Sequence, residues 1–318
     1  MHDKNEKKEC ELFAIKCAVF CVFLIGLLLV IIPEYKDGYM GSLLDKYDRI
    51  MNIKDPKVVL IGNSNLIFGI DSRILEEELG MPVVNMGLHG GLGNAFHERM
   101  IQFNVVPGDI YVVCNTTYWD EDCIDDPVLG WIAVENHPRL WKLVKSSDYA
   151  DMYEAFSTYI KHALLHHANY EDYSDKTRYD FNQYGDNGQE REHSGFEIEG
   201  DLYPMTIGDN DVSRINEWNS YVRERGAYLV VAGYPILDCE QRVSDEYYIE
   251  AQIGLANNLE CDYISDFRDY LYPYEMFDGT RYHLTSEGAR IRTRQLAQDI
   301  KMWKKTNCSL LDGDNNGI

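Results

Sequence analysis

Short apolar runs that stop at glycine or asparagine and alternate with amphipathic segments constrain this chain more than any other feature. Residues 57–61 (KVVLI) stop at Gly62, 82–86 (PVVNM) at Gly87, and 109–114 (DIYVVC) at Asn115. Residues 227–233 (AYLVVAG) stop just before Pro235, and 262–265 make a shorter fifth run. These runs are too short for helices and lack the in–out alternation of a sheet with one wet face, so they read as strands covered on both sides. Amphipathic segments fill the gaps: 72–79, capped by Asp71 and closed by Gly80, then 94–103, 212–225 stopped by Gly226, 244–259, and 286–305 behind Thr285. The alternation predicts an α/β fold in three layers, a five-stranded, mostly parallel sheet with helices on both faces. Sites in such sheets form outside the carboxyl ends of the strands.

Ahead of this rhythm lies a different signal. Residues 17–32 (CAVFCVFLIGLLLVII) carry no charge, and extending back to 12 while tolerating Lys16 gives 21 residues. At about 1.5 Å per residue these span roughly 31 Å, the thickness of a bilayer core. The run ends in Ile31-Ile32-Pro33-Glu34-Tyr35, with no small residues to mark a cleavage site. We therefore expect a cytoplasmic tail at 1–11, an uncleaved transmembrane anchor at 12–32, a polar stalk at 33–56 with a short helix near 43–53, a domain at 57–305, and a tail at 306–318. Lys4, Lys7, Lys8 and Lys16 precede the end of the span, against Lys36, Lys46 and Arg49 soon after it. That slight bias and the short tail favour the bulk of the chain lying on the extracytoplasmic side of the membrane.

Lys plus Arg is 30 and Asp plus Glu 53, a formal charge of −23. The first 32 residues hold four Lys and four acidic residues, so the whole excess falls on 33–318. Such acidity argues against nucleic acid as a partner, since phosphate binding needs clustered Lys and Arg. Of eight cysteines, Cys10, Cys17 and Cys21 belong to the tail and span. Cys114 reads as a buried strand residue, while a disulfide among Cys123, Cys239, Cys261 and Cys308 stays open. No cysteine or histidine pair has zinc-site spacing with a third ligand in view, so no metal and no cofactor is expected. His162, His166 and His167 on the helical stretch Tyr149–His167 read as a solvated face, and His89 and His97 as loop or helix surface. Asp312 to Ile318 match only the first seven positions of an EF-hand loop.

The middle of the chain, about 117–210, breaks the strand–helix rhythm and reads as an insertion at the open end of the sheet. Its polar segment 169–200, poor in aliphatics, reads as partly mobile. Tyr118, Trp119 and Trp131 follow the third strand on the open side, where aromatic faces can stack on sugar rings; core packing is the equal reading.

Chemistry gathers at the strand ends. Ser64 follows the first strand in Gly62-Asn63-Ser64-Asn65, where a hydroxyl can stand at the sheet edge and its own N–H can face an oxyanion. The second strand leads into Gly87, a second candidate donor, and the third into Asn115, whose side-chain amide is a third. Near the C-terminus, His283 stands before a capped helix in Phe277-Asp278-Gly279-Thr280-Arg281-Tyr282-His283-Leu284-Thr285-Ser286-Glu287-Gly288. It can take a proton from Ser64, with Asp278 as the carboxylate that orients it.

These four blocks, in this order, resemble the SGNH (GDSL-like) hydrolase superfamily over about residues 55–303. The most specific stretch is His283-Leu284-Thr285-Ser286-Glu287-Gly288, since the family commonly reads His-Leu-x-x-x-Gly there. The departures are Asn63 for the family's Asp, Thr280 where its Asp-x-x-His would place the acid, and Val113-Cys114-Asn115-Thr116 for its Gly-x-Asn-Asp. A literal Gly208-Asp209-Asn210-Asp211 occurs too, but it follows no strand and reads as a helix cap. The resemblance implies a flavodoxin-like fold, a Ser64 nucleophile with His283 as base and Asp278 as orienter, and an oxyanion hole of Ser64, Gly87 and Asn115. With the anchor and the insertion, the chain is most similar to the membrane-bound branch that includes teichoic acid D-alanylation protein D and alginate O-acetylation proteins. The implied activity is an esterase or O-acyltransferase acting on acylated cell-envelope or exopolysaccharide glycans, with polysaccharide-assembly membrane proteins as partners. The alternative is an inactive surface protein of the same fold that binds glycan or a partner.

Overall fold

The computed structural model describes residues 2–31, 33–115, 122–168, 176–198 and 207–313. Helix α1 (His2–Ile31) opens the chain, and its stretch Lys8–Leu27 is long and apolar enough to cross a membrane, with none of it buried against the rest. Helix α2 (Ser42–Asn52) follows, then strand β1 (Val58–Ile61), the single-turn helix α3 (Ser64–Ile67), α4 (Ser72–Leu79), β2 (Val83–Asn85), α5 (Asn94–Arg99) and β3 (Ile110–Val113). The middle section carries α6 (Pro127–Val134) and α7 (Tyr149–His167). The rest is α8 (Asp209–Arg223), β4 (Tyr228–Val231), β5 (Ile236–Leu237), α9 (Asp245–Asn258), β6 (Asp262–Tyr263), β7 (Leu271–Tyr272) and α10 (Ser286–Gly313).

The protein is an α/β fold built on a five-stranded sheet of order β2-β1-β3-β4-β6, parallel throughout. Strands β5 and β7 pair separately. Side chains alternate along each strand as pleating requires. Val59, Ile61, Val84, Tyr111, Val113 and Val231 face one core, which receives Leu43 and Ile50 of α2, Phe96 of α5, Ile215 and Val222 of α8, and Leu255 of α9. Val58, Leu60, Val83, Ile110, Val112 and Val230 face the other, filled by Leu75 of α4 and by Leu296, Ala297 and Ile300 of α10. Each such aliphatic side chain contributes about 1.5–3 kcal/mol by leaving water. The chain winds outward from β1 toward β2 and then back across β1 to β3, so the crevice where ligands collect lies beyond the ends of β1 and β3.

Three expectations need correction. Residues 33–56 form no stalk: Tyr35, Tyr39, Met40, Leu43, Tyr47 and Ile50 are buried in the main core. Leu43, Tyr47 and Ile50 recur at helical spacing, so α2 presents one apolar face to the sheet. Even Lys46 is buried, its amine donating to Asn85 O at 3.1 Å and Gly185 O at 2.6 Å. Nor does the middle section sit only at the open end of the sheet. Leu129, Ile132, Leu140, Leu143, Met152 and Tyr159 join that same core, and Trp131 is packing, its indole N–H donating to Met152 O at 2.7 Å and its ring stacked on Tyr159. Finally, the polar segment is held in place where it is described. Asn85 N–H donates to Tyr184 O at 2.9 Å, extending the edge of β2, and Asn187 N–H donates to Ile67 O at 3.0 Å. These contacts run through the segment's own backbone, which leaves no hydrophobic signature in the sequence.

Smaller differences follow. The helix after β2 turns 3₁₀ at Met100–Gln102, and α10 continues to Gly313. Cys10, Cys17, Cys21, Cys114, Cys123, Cys239 and Cys261 are free thiols, Cys114 buried in its strand. His97 is fully buried rather than surface. His166 and His167 both meet Glu34, at 2.9 and 3.1 Å, and among the described residues no His, Cys, Asp or Glu cluster is arranged to hold a metal. The calcium-loop resemblance past Gly313 falls outside the described residues.

Candidate active site

Strand β1 ends at a turn that only glycine permits. A Cβ on Gly62 would lie 2.5 Å from the Cys114 carbonyl oxygen, so the absent side chain lets the turn press against β3. Asn63 then caps α3, its Oδ1 accepting from Asn65 N–H at 3.1 Å and from Asn65 Nδ2 at 2.6 Å. Asn65 Nδ2 also donates to Cys114 O at 2.8 Å. From beneath, the fully buried Arg292 of α10 donates to Asn65 O and Oδ1, both at 2.8 Å. Ser64, the first residue of α3, is thus set on a turn braced from three sides, and its N–H belongs to the unpaired first turn of that helix.

His283 arrives on a tight loop. Phe277 and Leu284 pair across its base, Thr285 N–H donates to Met276 O at 2.8 Å, and Leu284 is buried. Thr280 accepts the His283 N–H on its hydroxyl at 3.1 Å and so shapes the loop. The loop delivers His283 Nε2 to 2.9 Å from Ser64 Oγ. Phe68, just after α3, lays its ring against the imidazole with centroids 4.3 Å apart. Burial pushes the imidazole down to about 4, opposed by the charge of Asp278 and reinforced by Arg191 and His89. The ring is therefore neutral at pH 7, the form able to accept a proton.

The remaining candidates divide. Asn115 follows β3 by two residues, at the same end of the sheet as Ser64, but it does not line the cavity that Ser64 and His283 share. Its side chain is fully buried, and neither amide atom has a hydrogen-bond partner. Gly87 reaches the same edge, but its N–H is spent on Asn85 Oδ1 at 2.9 Å, so it is not an available oxyanion donor. The reason is local: Asn85, buried at the end of β2, folds its side chain forward over the turn. Asp278 raises the proton affinity of His283 through space only. No hydrogen bond joins it to the ring, and its carboxylate accepts from Ser194 Oγ at 2.6 Å. Asn210 lies in the first turn of α8, where Asp211 pairs with Arg214, as the helix-cap reading expects. Tyr118 and Trp119 lie outside the described residues.

Above Ser64 and His283 opens a cavity of about 500 Å³ lined by Tyr39, Phe68, His89, Lys176, Gln189, Glu190, Arg191, Glu192 and Asp278. Most of these lining residues escaped sequence reasoning, as did Arg292 beneath Ser64. Tyr39 and Phe68 are aromatic residues without a motif. Arg191 ties the two halves together, donating to Phe68 O at 2.9 Å on the serine side and Leu284 O at 3.1 Å on the histidine side. Only Arg292 left a trace, a cation on the buried face of α10 among Ala289 and Leu296. No protein-family model, curated protein or solved structure matches this chain.

Proposed function

We propose that this protein is a membrane-anchored serine acyl esterase or O-acyltransferase of SGNH type, acting outside the cytoplasm on acylated cell-envelope or exopolysaccharide glycans. The observation that carries the proposal is the 2.9 Å approach of Ser64 Oγ to His283 Nε2, groups 219 residues apart in sequence, at the floor of a solvent-open cavity. In the proposed reaction, Ser64 Oγ bonds to the ester carbonyl carbon and its proton passes to His283 Nε2. The carbonyl π electrons move to oxygen, where the Ser64 N–H and the unpartnered Asn115 amide supply donors. Collapse breaks the bond to the leaving alcohol, which takes the proton from His283. Water, or a second glycan hydroxyl, then attacks the acyl-serine with His283 again as base, releasing the carboxylic acid or a new ester. The polar wall of Lys176, Gln189, Glu190 and Glu192 suits the hydroxyls of a sugar. The apolar stretch of α1 and the lysines at its N-terminal end (Lys4, Lys7 and Lys8) support an anchor with the domain outside.

A fluorophosphonate probe on membranes holding the full chain tests this. Labelling of wild type that disappears in Ser64→Ala supports the enzyme, and an unlabelled wild type refutes it. The second reading, an inactive surface protein binding glycan or a partner, draws support from the Asp278 carboxylate being hydrogen-bonded to Ser194 instead of the imidazole. It expects glycan binding without labelling.

A further inference from the structure

With the Gly87 N–H committed to Asn85, the loop after β2 has lost its expected contribution to the oxyanion hole. Two residues on, the same loop offers another donor. The parallel ladder between β1 and β2 runs past the end of β2: Met86 N–H donates to Leu60 O at 2.9 Å and Leu88 N–H to Gly62 O at 3.2 Å. The ladder ends there, and His89 is the residue that follows its last bond. His89 lines the cavity that holds Ser64 and His283, and it is solvent-accessible there.

The state of its ring follows from its neighbours. His89 Nδ1 accepts the Gly91 N–H at 3.0 Å, so in the neutral imidazole the proton sits on Nε2. Its backbone is pinned from below, since the buried His97 donates from Nε2 to His89 O at 3.1 Å. The edge of the ring meets Tyr39, centroids 6.0 Å apart and planes nearly perpendicular. Ring position and tautomer are both fixed before any ligand arrives, which is what an electrostatic donor to a transition state requires.

We infer that His89 is a catalytic residue of this site, donating its Nε2–H to the oxyanion that forms when Ser64 attacks an ester carbonyl. The inference rests on the serine-enzyme reading above and gives His89 the place that the Gly87 N–H cannot fill. It also separates from a plain structural role, because the two ring nitrogens do different work. Nδ1 caps the turn Gly90–Leu92, while Nε2 faces no protein acceptor that the hydrogen bonds of the site reveal.

Two variants split those roles. His89→Asn keeps an acceptor near the Nδ1 position and removes the donor, whereas His89→Gln places an amide N–H near Nε2 and loses the cap. The full chain in detergent is assayed with p-nitrophenyl acetate, alongside fluorophosphonate labelling and thermal unfolding. We expect His89→Asn to unfold at the wild-type temperature, with kcat lowered 100- to 1000-fold and KM within about twofold. His89→Gln should recover at least about tenfold in kcat over His89→Asn. Wild-type kcat in His89→Asn, with destabilisation confined to His89→Gln, overturns the inference and leaves a turn cap, while Ser64 labelling stands. A wild type that neither labels nor turns over ester brings down the serine-enzyme reading and this inference together.

Discussion

Replacing Lys46 by methionine gives the most informative test of how the site is held. Lys46 Nζ is buried and bridges Asn85 O and Gly185 O, and the nearby charge of Asp186 partly offsets the burial that pushes its proton affinity down. Asp186 accepts from Ser72 N and Oγ at 2.8 and 2.6 Å and from Asn85 Nδ2 at 2.8 Å. Methionine fills the same volume but leaves two buried carbonyls without a donor, at about 1–3 kcal/mol each. Sparing the ammonium its desolvation offsets part of that cost, and we expect about 3–4 kcal/mol here. Urea unfolding of the detergent-solubilised chain, followed by tryptophan fluorescence, measures it. Asp186→Asn alone should also cost stability, because its amide nitrogen cannot accept from the donors around it, but the double variant should lose about 1–2 kcal/mol less than the sum of the two, a coupling that a double-mutant cycle reads directly. A single variant within about 1 kcal/mol of wild type, or a strictly additive double variant, refutes the reasoning.

Four further outcomes are expected. The rate of Ser64 phosphonylation should hold its plateau from pH 8 down to about 5 and fall tenfold per unit only below about 4, because burial lowers the proton affinity of His283; a midpoint at 6.5 contradicts this. The same shift acts on folding: the unfolded chain binds the proton first, so stability relative to His283→Gln is complete above pH 6.5 and is lost as pH falls through about 4. Asn115→Ala should change unfolding stability by less than about 1 kcal/mol, since the amide it removes has no partner, yet slow ester turnover roughly 100- to 1000-fold. Arg191→Lys keeps the charge but cannot reach Phe68 O and Leu284 O together, and should lower kcat at least about tenfold with KM little changed; equal losses in kcat and thermal stability would mark a general packing role.

What the sequence made legible and what it hid have physical causes. The strands were readable because burial on both faces leaves unbroken apolar runs, and Ser64, Asn115 and His283 because each stands beside a glycine, a strand end or a helix cap. Gly87 was placed correctly, but whether its N–H is available depends on the rotamer of Asn85, which no pattern encodes. Asp278 fails in the same way: five residues from His283 is near enough to act electrostatically, and Ser194, 84 residues earlier, takes the hydrogen bond. Segment 33–56 was misread although Leu43, Tyr47 and Ile50 keep helical spacing, because its many charges mask that apolar face; segment 176–198 was misread because its anchoring is polar. Lys46, Asp186 and Arg191 look like solvent-facing charges until the acceptors that surround them are known.

The early burial of Tyr39 has a geometric consequence. It lines the cavity above Ser64 yet follows the end of α1 at Ile31 by only eight residues, a stretch that can reach about 28 Å at most. On the function proposed above, with α1 in lipid and Ser64 as the nucleophile, the serine would work on a short leash and could not sweep outward through the envelope. Glycans to be acylated or stripped would then have to graze the bilayer itself, which would favour newly emerging polymer over mature material further out.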